Sequence, residues 1–193
     1  MTIITRRAVL AAGAVLAMPS LVRAQRAAPD PQNVLHMDLK DGRVVIEMRP
    51  DLAPRHCERI RDLTRRRFYD NCPFHRVIPG FMAQTGDPTG TGTGGARSIG
   101  LPDLQSEFSP PSRARFIRGT CGMARTQDPH TANSQFFIMF APNQGLDGQY
   151  TIWGSVASGM DVVDRIKAGT QQNNGAVAPP PDRIRRMTVA ADG

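Results

Sequence analysis

The chain has 193 residues, 40% of them hydrophobic, with 24 lysines and arginines against 17 acids and a formal net charge of +7. That length suits one domain with a single good core. Aromatics make up 6% of the residues and do not interleave with the arginine runs at Arg65 to Arg67 and Arg185 to Arg186, which favours solvated basic faces over a stacking surface for single-stranded nucleic acid.

Residues 1–24 carry the pattern of a signal peptide. Arg6 and Arg7 precede an uncharged, mostly apolar run over 8–18, and Val22-Arg23-Ala24 offers a small-residue cleavage site before Gln25. The run falls short of the roughly 20 residues of a membrane span. Thr5-Arg6-Arg7-Ala8-Val9-Leu10 resembles the twin-arginine export signal, which predicts a periplasmic mature chain. A frayed basic terminus and an uncleaved, tethering signal are the alternatives. Cleavage takes away three arginines and no acid, leaving 21 basic residues against 17 acidic ones and a net charge of +4.

Residues 25–33 are polar and proline-rich and read as a linker to a domain over 34–193. Residues 34–39 and 44–48 alternate about Asp41-Gly42, the chemistry of a tight hairpin turn. Pro54 suits a helix's first turn, and Cys57, Ile60 and Leu63 recur at three-residue steps. An amphipathic helix is therefore expected over 53–66, its arginines outward. Further strands are expected at 74–78, 81–84, 119–124, 135–140, 151–155 and 183–189, and a second helix at 160–167. Residues 89–95 and 171–181, rich in glycine or proline without periodicity, read as loops. Many short strands with two helices point to a closed antiparallel barrel or a sandwich.

The densest chemistry lies at 74–84, Phe-His-Arg-Val-Ile-Pro-Gly-Phe-Met-Ala-Gln. On a strand, Phe74, Arg76 and Ile78 share one face, and His75 and Val77 share the other. Pro79-Gly80 marks a turn or bulge that re-aims Phe81, Met82 and Gln84. A guanidinium, an amide and two large apolar side chains can then share one pocket; a half-buried strand with a surface arginine is the alternative. Cys57, Cys72 and Cys121 form no Cys-x-x-Cys pair and read as small buried side chains, with a bridge between Cys57 and Cys72 as the alternative in an oxidising compartment. His36, His56, His75 and His130 are too scattered for a metal cluster, so neither metal nor other cofactor is implied.

Two further blocks follow in order. Residues 122–138 read Gly-Met-Ala-Arg-Thr-Gln-Asp-Pro-His-Thr-Ala-Asn-Ser-Gln-Phe-Phe-Ile, and residues 145–154 read Gly-Leu-Asp-Gly-Gln-Tyr-Thr-Ile-Trp-Gly. With residues 74–84 and the loop Gly92-Thr93-Gly94-Gly95, these blocks resemble the cyclophilins, a family of peptidyl-prolyl cis-trans isomerases. The wording Met123-Ala124-Arg125-Thr126 resembles the bacterial branch, and residues 1–24 add the expectation of an exported, periplasmic member. The resemblance covers residues 33–189 or so and selects a closed eight-stranded antiparallel β-barrel capped by two α-helices. It implies an enzyme that accelerates rotation about X-Pro bonds in protein substrates and assists the folding of exported proteins. Arg76 stands at the family's catalytic arginine. Phe81, Met82, Phe137 and Leu146 match the floor of the proline pocket, and Gln84 matches the residue that holds the swinging carbonyl. Ala124, Arg125 and Thr126 match the strip that pairs with substrate backbone, while His75, Gln135 and Tyr150 complete the lining. A monomer is the family default.

Gly145 and Tyr150 depart from the best-known eukaryotic pattern, which has a tryptophan and a histidine there. Losing the indole predicts weak cyclosporin binding with isomerase activity retained. Arg125 replaces an asparagine of which the family uses chiefly the backbone. The strongest rival function is a non-catalytic proline-peptide-binding or chaperone module on the same barrel, which needs the pocket and the strip but not Arg76. A hydrolase lacks its Gly-x-Ser-x-Gly elbow, and residues 90–95 lack the Lys-Ser/Thr of a phosphate loop.

Overall fold

Alternation along β1 (Val34–Leu39) and β2 (Gly42–Met48) sends Leu35, Met37, Leu39, Val44, Ile46 and Met48 into the core. The computed structural model describes residues 28–193, so the expected signal segment 1–24 lies outside the described residues. Leu39 pairs with Gly42, which makes Lys40 and Asp41 the hairpin tip, one residue earlier than expected. Gly42 is set by a close approach instead: at φ +142°, a Cβ there would lie 3.1 Å from Val162 Cγ2.

Helix α1 (Pro54–Arg65) starts on its proline and buries His56, Cys57, Ile60, Leu63 and Thr64. Its outward arginines are tied down. Arg61 and Arg65 hold the last part of the expected linker, a 3-10 turn at Pro31–Asn33, by bonds to Gln32 O, Asn33 Oδ1 and Gln32 Oε1. Arg65, Arg66 and Arg67 pair with Asp192, Asp62 and Asp70 at 2.9, 2.9 and 2.8 Å, so the run is neutralised locally.

Ala53 offers the helix no side-chain cap, and Glu107 takes that role from a distant loop. Its carboxylate accepts from the Arg55 and His56 amides at 3.3 and 3.1 Å and from His56 Nδ1 at 2.6 Å. Burial holds the His56 pKa below the ordinary histidine value, against the pull of Glu107. The unfolded chain protonates this imidazole near pH 6.5 while the folded chain resists, so stability is expected to fall as pH drops below about 6.5. His56→Gln should give a shallower decline of the urea midpoint between neutral and mildly acidic pH. His75, also lowered by burial, supplies the remainder. An unchanged slope would contradict this assignment.

The remaining strands are β3 (Arg76–Ile78), β4 (Met82–Thr85), β5 (Thr120–Met123), β6 (Phe136–Met139), β7 (Ile152–Ser158) and β8 (Arg186–Val189). All eight form one antiparallel sheet in the order β3-β4-β6-β5-β7-β2-β1-β8. It curls into a barrel whose continuous ladder stops at the seam between β3 and β8. The barrel is therefore not fully closed, contrary to expectation: β3 and β8 do not pair. Only isolated bonds to the loop before β8 span the gap, Pro73 meeting Arg183, Arg76 meeting Ala176, and the Val77 amide donating to Gly175 O at 2.8 Å. The loop before β8 is thereby laid along β3. Helix α2 (Met160–Asp164) is shorter than expected, because Arg165 and Ile166 bond back to Val162 and Val163 in a tighter 3-10 turn. That turn buries Ile166, and Asp182 accepts the Lys167 amide at 2.7 Å.

Helix α1 packs on β7 and β8, and α2 packs on β2. The main core gathers Trp153, Tyr69, Phe74, Phe136 and the inward residues of β1 and β2, with Cys57, Ile60 and Leu63 from α1. Cys57, Cys72 and Cys121 are buried free thiols, the first two pushed by burial up to about 12, so they are inert small hydrophobes at neutral pH. A second apolar cluster lies on the other face of the same strands, with Met82, Phe116, Phe137, Met139 and Ile152. All four residues of β6 are buried because both its faces are covered: Phe136 and Ile138 face the main core, Phe137 and Met139 the second cluster.

Candidate active site

The site is one cross-strand row on the sheet's outer face. Arg76 pairs with Gln84, Gln84 with Phe137, Phe137 with Gly122, and Gly122 with Ile152. Residues directly opposite on adjacent strands present their side chains together. Gly122 is required there: a Cβ would lie 2.5 Å from Phe137 Cζ and 2.6 Å from Phe116 Cε1, so its absence lets both rings lie on the strand. Phe116 and Phe137 stack with centroids 5.7 Å apart, and Tyr150 stands edge-on to Phe137 at 5.8 Å. Phe116 carried no sequence signal.

Pro79-Gly80 makes the expected turn, Gly80 at φ +72° and the Phe81 amide donating to Ile78 O at 3.0 Å. Phe74 does not share the face of Arg76. It packs in the main core with Val77, because the regular ladder begins only at Arg76 and alternation cannot be extended back across residues 74–75. His75 also departs from expectation. It lines neither of the site's two cavities, its ring lying about 3.6 Å from where a Cβ on Gly92 would stand, beside the glycine loop.

The guanidinium of Arg76 is held from two sides. Its Nε and Nη2 donate to Asn174 O and Oδ1 at 2.9 and 3.0 Å, and its Nη1 donates to Gln84 Oε1 at 3.2 Å. With five N–H groups and three bonds, two N–H groups remain for a ligand. No carboxylate of the described residues pairs with it, and burial lowers its pKa below the ordinary arginine value without removing its charge. Asn174 arrives by way of the seam loop, left-handed at φ +50°, followed by Gly175 at φ +81°.

A chain of amides fixes the rest. Gln84 Nε2 donates to Gln135 Oε1 at 2.9 Å, and Gln135 Nε2 donates to the carbonyls of Gly92 and Gly94 at 3.0 and 2.8 Å. Both amides are thus oriented, and Gln84 must turn its oxygen to Arg76. The glycine loop is in turn gathered on Asp87, a fully buried carboxylate that accepts from the amides of Thr89, Gly92 and Gly94 and the hydroxyls of Thr89 and Thr91.

Arg76, Phe81, Met82, Gln84, Ala124, Arg125, Phe137, Leu146 and Tyr150 enclose a cavity of about 170 Å³. Nine of the twelve residues singled out from the sequence meet there. A second cavity of about 340 Å³ adjoins it at Ala124 and Arg125 and takes in Thr126 and Gln135. The Ala124 amide is spent on Gln135 O and the Thr126 amide on Thr131 Oγ1. Among the described residues nothing pairs with the backbone of Arg125, which leaves one open rung for an added strand. No cluster of three or more His, Cys, Asp or Glu among the described residues has the geometry to hold a metal.

Residues 34–189 match the family model described as cyclophilin type peptidyl-prolyl cis-trans isomerase/CLD. The chain belongs to the cyclophilins. A Brucella suis protein named as a probable peptidyl-prolyl cis-trans isomerase is 49% identical, the match covering 96% of this chain and 97% of that one. An Aspergillus oryzae peptidyl-prolyl cis-trans isomerase-like 1 is 38% identical over 81% of this chain and 94% of its own length. Among solved structures, a Cryptosporidium parvum cyclophilin type isomerase crystallised with the dipeptide Ala-Pro superposes with a TM-score of 0.71 at 27% identity, covering 81% of this chain and 98% of that one. The cyclophilin AquaCyp293 from Hirschia baltica gives 0.70 at 25% identity, covering 86% and 76%.

Arg125 and Tyr150, two of the three positions set apart in the sequence, meet in space. The Arg125 guanidinium lies 4.3 Å from the centroid of the Tyr150 ring, and its nitrogens donate to Gln149 O, Thr126 O and Gln127 O. Its side chain therefore braces the pocket wall, a role the backbone reading of Arg125 did not include. Asn174 is the other support the sequence did not disclose. In this cyclophilin Asn174→Gly keeps the left-handed backbone and the Asn174 carbonyl but deletes the Oδ1 acceptor. It is expected to lower kcat/KM on a proline peptide about tenfold, mostly through kcat, as the fork loses one of its fixing bonds. An unchanged kcat would show that the backbone carbonyl alone suffices.

Proposed function

We propose that Arg76 carries the catalytic step of X-Pro isomerisation in this chain, on prolyl segments of exported proteins. The observation that supports the reading most directly is the anchored, un-neutralised guanidinium with two N–H groups left over beside a cavity that Phe81, Met82, Phe137 and Leu146 also line.

The X-Pro bond rotates over a barrier of about 18–20 kcal/mol because the amide loses its resonance on the way. Half-way round, the prolyl nitrogen is pyramidal and its lone pair accepts a hydrogen bond that the planar amide nitrogen barely takes. A donor aimed at that nitrogen binds the twisted form more tightly than either planar isomer, which is what lowers a barrier. A gain of about four decades in rate needs roughly 5 kcal/mol, within reach of one charge-assisted bond plus the desolvation that the bound proline brings. Phe81, Met82, Phe137 and Leu146 grip the ring, Gln84 steadies the carbonyl that swings, and the open rung at Arg125 pairs with substrate backbone. A proline-limited refolding assay tests this; equal acceleration by the native chain and Arg76→Ala would move the reading to a non-catalytic binding module.

Export through the twin-arginine route, with the mature chain acting in the periplasm on folding clients as a monomer, is supported by Arg6 and Arg7, the weakly apolar run after them and Ala24. Replacing both arginines by lysine is expected to leave the protein in the cytoplasmic fraction; unchanged export would refute the route. Weak cyclosporin inhibition follows from the bare rim at Gly145, which is exposed and where a Cβ would meet only Asn143 Oδ1, at 3.2 Å. Gly145→Trp is expected to tighten inhibition at least about tenfold by restoring apolar area and an indole donor. Equal inhibition of both forms would remove Gly145 as the cause.

A further inference from the structure

The two adjoining cavities are lined by arginine and by no acid. Arg76 and Arg125 face the smaller one, and Arg97 and Arg125 the larger. The carboxylates carried by the same segments line neither cavity, and of the four only Asp103 is paired with a base. Asp87 is buried under five donors. Asp103 takes the Arg97 fork and Asn133 Nδ2. Asp128 accepts the His130 amide at 2.8 Å, and Asp147 accepts the Phe116 amide at 2.7 Å. Arg97 is therefore compensated, whereas Arg76 and Arg125 bond only to carbonyl and amide oxygens. Dipoles orient these two guanidinium groups but leave both net charges standing over the groove.

We infer that this groove selects prolyl segments bearing a carboxylate on a residue that flanks the proline, with Arg125 as the specificity-determining charge. Arg125 is placed for this because it borders both cavities, so a side chain on either side of the gripped ring passes near it. Arg76 is committed to the reacting bond and contributes its field to any acidic neighbour. A lysine in the same place meets two like charges and no carboxylate among the residues lining either cavity, which suppresses basic segments as it favours acidic ones. The inference rests on the isomerase reading and names the substrate class of that same site.

The test uses Ala-Xaa-Pro-Yaa peptides with Glu, Gln or Lys placed in turn at Xaa and at Yaa. At low ionic strength kcat/KM should rank Glu above Gln above Lys at one position or both, by about two- to fivefold per step, as expected for exposed ion pairs. The ranking should shrink in about 0.5 M salt, where the Debye length is a few ångströms. Arg125→Gln should reduce the Glu-to-Lys ratio about twofold or more, and Arg125→Lys should keep most of it, because charge and not the clamp on Tyr150 sets the preference. A purely bracing role would slow all three peptides alike and leave the ratio in place. Equal rates for Glu and Lys at both positions, or loss of the ratio in Arg125→Lys as well as Arg125→Gln, would overturn the inference alone. Failure to turn over any peptide would overturn the isomerase reading and this inference with it.

Discussion

Arg76→Ala is expected to lower kcat/KM on a proline peptide about a thousandfold, the loss that follows removal of a preorganised donor from a transition state. The fold should survive. Arg76 sits on the outer face of β3, and the residue that anchors this strand in the core is Val77. The loop bearing Asn174 keeps its own attachments to β3 through the Val77 amide on Gly175 O and the Gly169 amide on Val77 O, at 2.8 and 2.9 Å. Arg76→Lys should recover little. An ammonium cannot bond to Asn174 O, Asn174 Oδ1 and Gln84 Oε1 together and still present a donor in a set direction. An alanine variant that unfolds at the native temperature and works within tenfold of the native rate would remove Arg76 from the reaction.

The sequence disclosed what depends on local pattern. Each of the eight strands lies within a few residues of its expected place, because apolar alternation is a property of contiguous residues. Errors fall where a distant contact overrides the pattern. Gly42 pairs with Leu39 as part of β2 and lies under Val162, so it is not the hairpin tip; the tight turn that buries Ile166 and the bond from Lys167 to Asp182 cut α2 short. The barrel's ladder is interrupted because a loop, not a strand, runs beside β3. At the site, the motifs named most of the pocket residues, but the row that unites Arg76, Gln84, Phe137 and Gly122 exists only once strand register is set. Asn174 lies 98 residues from Arg76, so no spacing rule joins them. Arg125 and Tyr150 stand 25 residues apart in the chain, and only the fold brings the guanidinium onto the ring.

Asp87→Ala is expected to be the most damaging change away from the guanidinium, at a cost of about 1–3 kcal/mol, because the amides of Thr89, Gly92 and Gly94 lose the one acceptor that gathers them. Burial by itself would raise the Asp87 pKa, but Thr89 and the amides of Gly92 and Gly94 more than offset it and hold it below the ordinary carboxylate value. The folded chain therefore favours the ionised form. Its contribution is complete above the ordinary aspartate range near pH 4 and is lost as pH falls through the lowered folded-state value. Activity should fall as well as stability. Asp87 aims the loop whose Gly92 and Gly94 carbonyls orient Gln135, Gln135 orients Gln84, and Gln84 steadies Arg76. Asp87→Asn separates the two effects, since it keeps the shape and one acceptor but loses the charge and turns an NH₂ towards donors. Assayed well below its melting temperature, it should show reduced kcat with a pH-stability curve flattened at the acidic end. A folded Asn variant with native kcat would mean that the loop holds Gln135 without help from the carboxylate, and that the amide chain ends at Gln135.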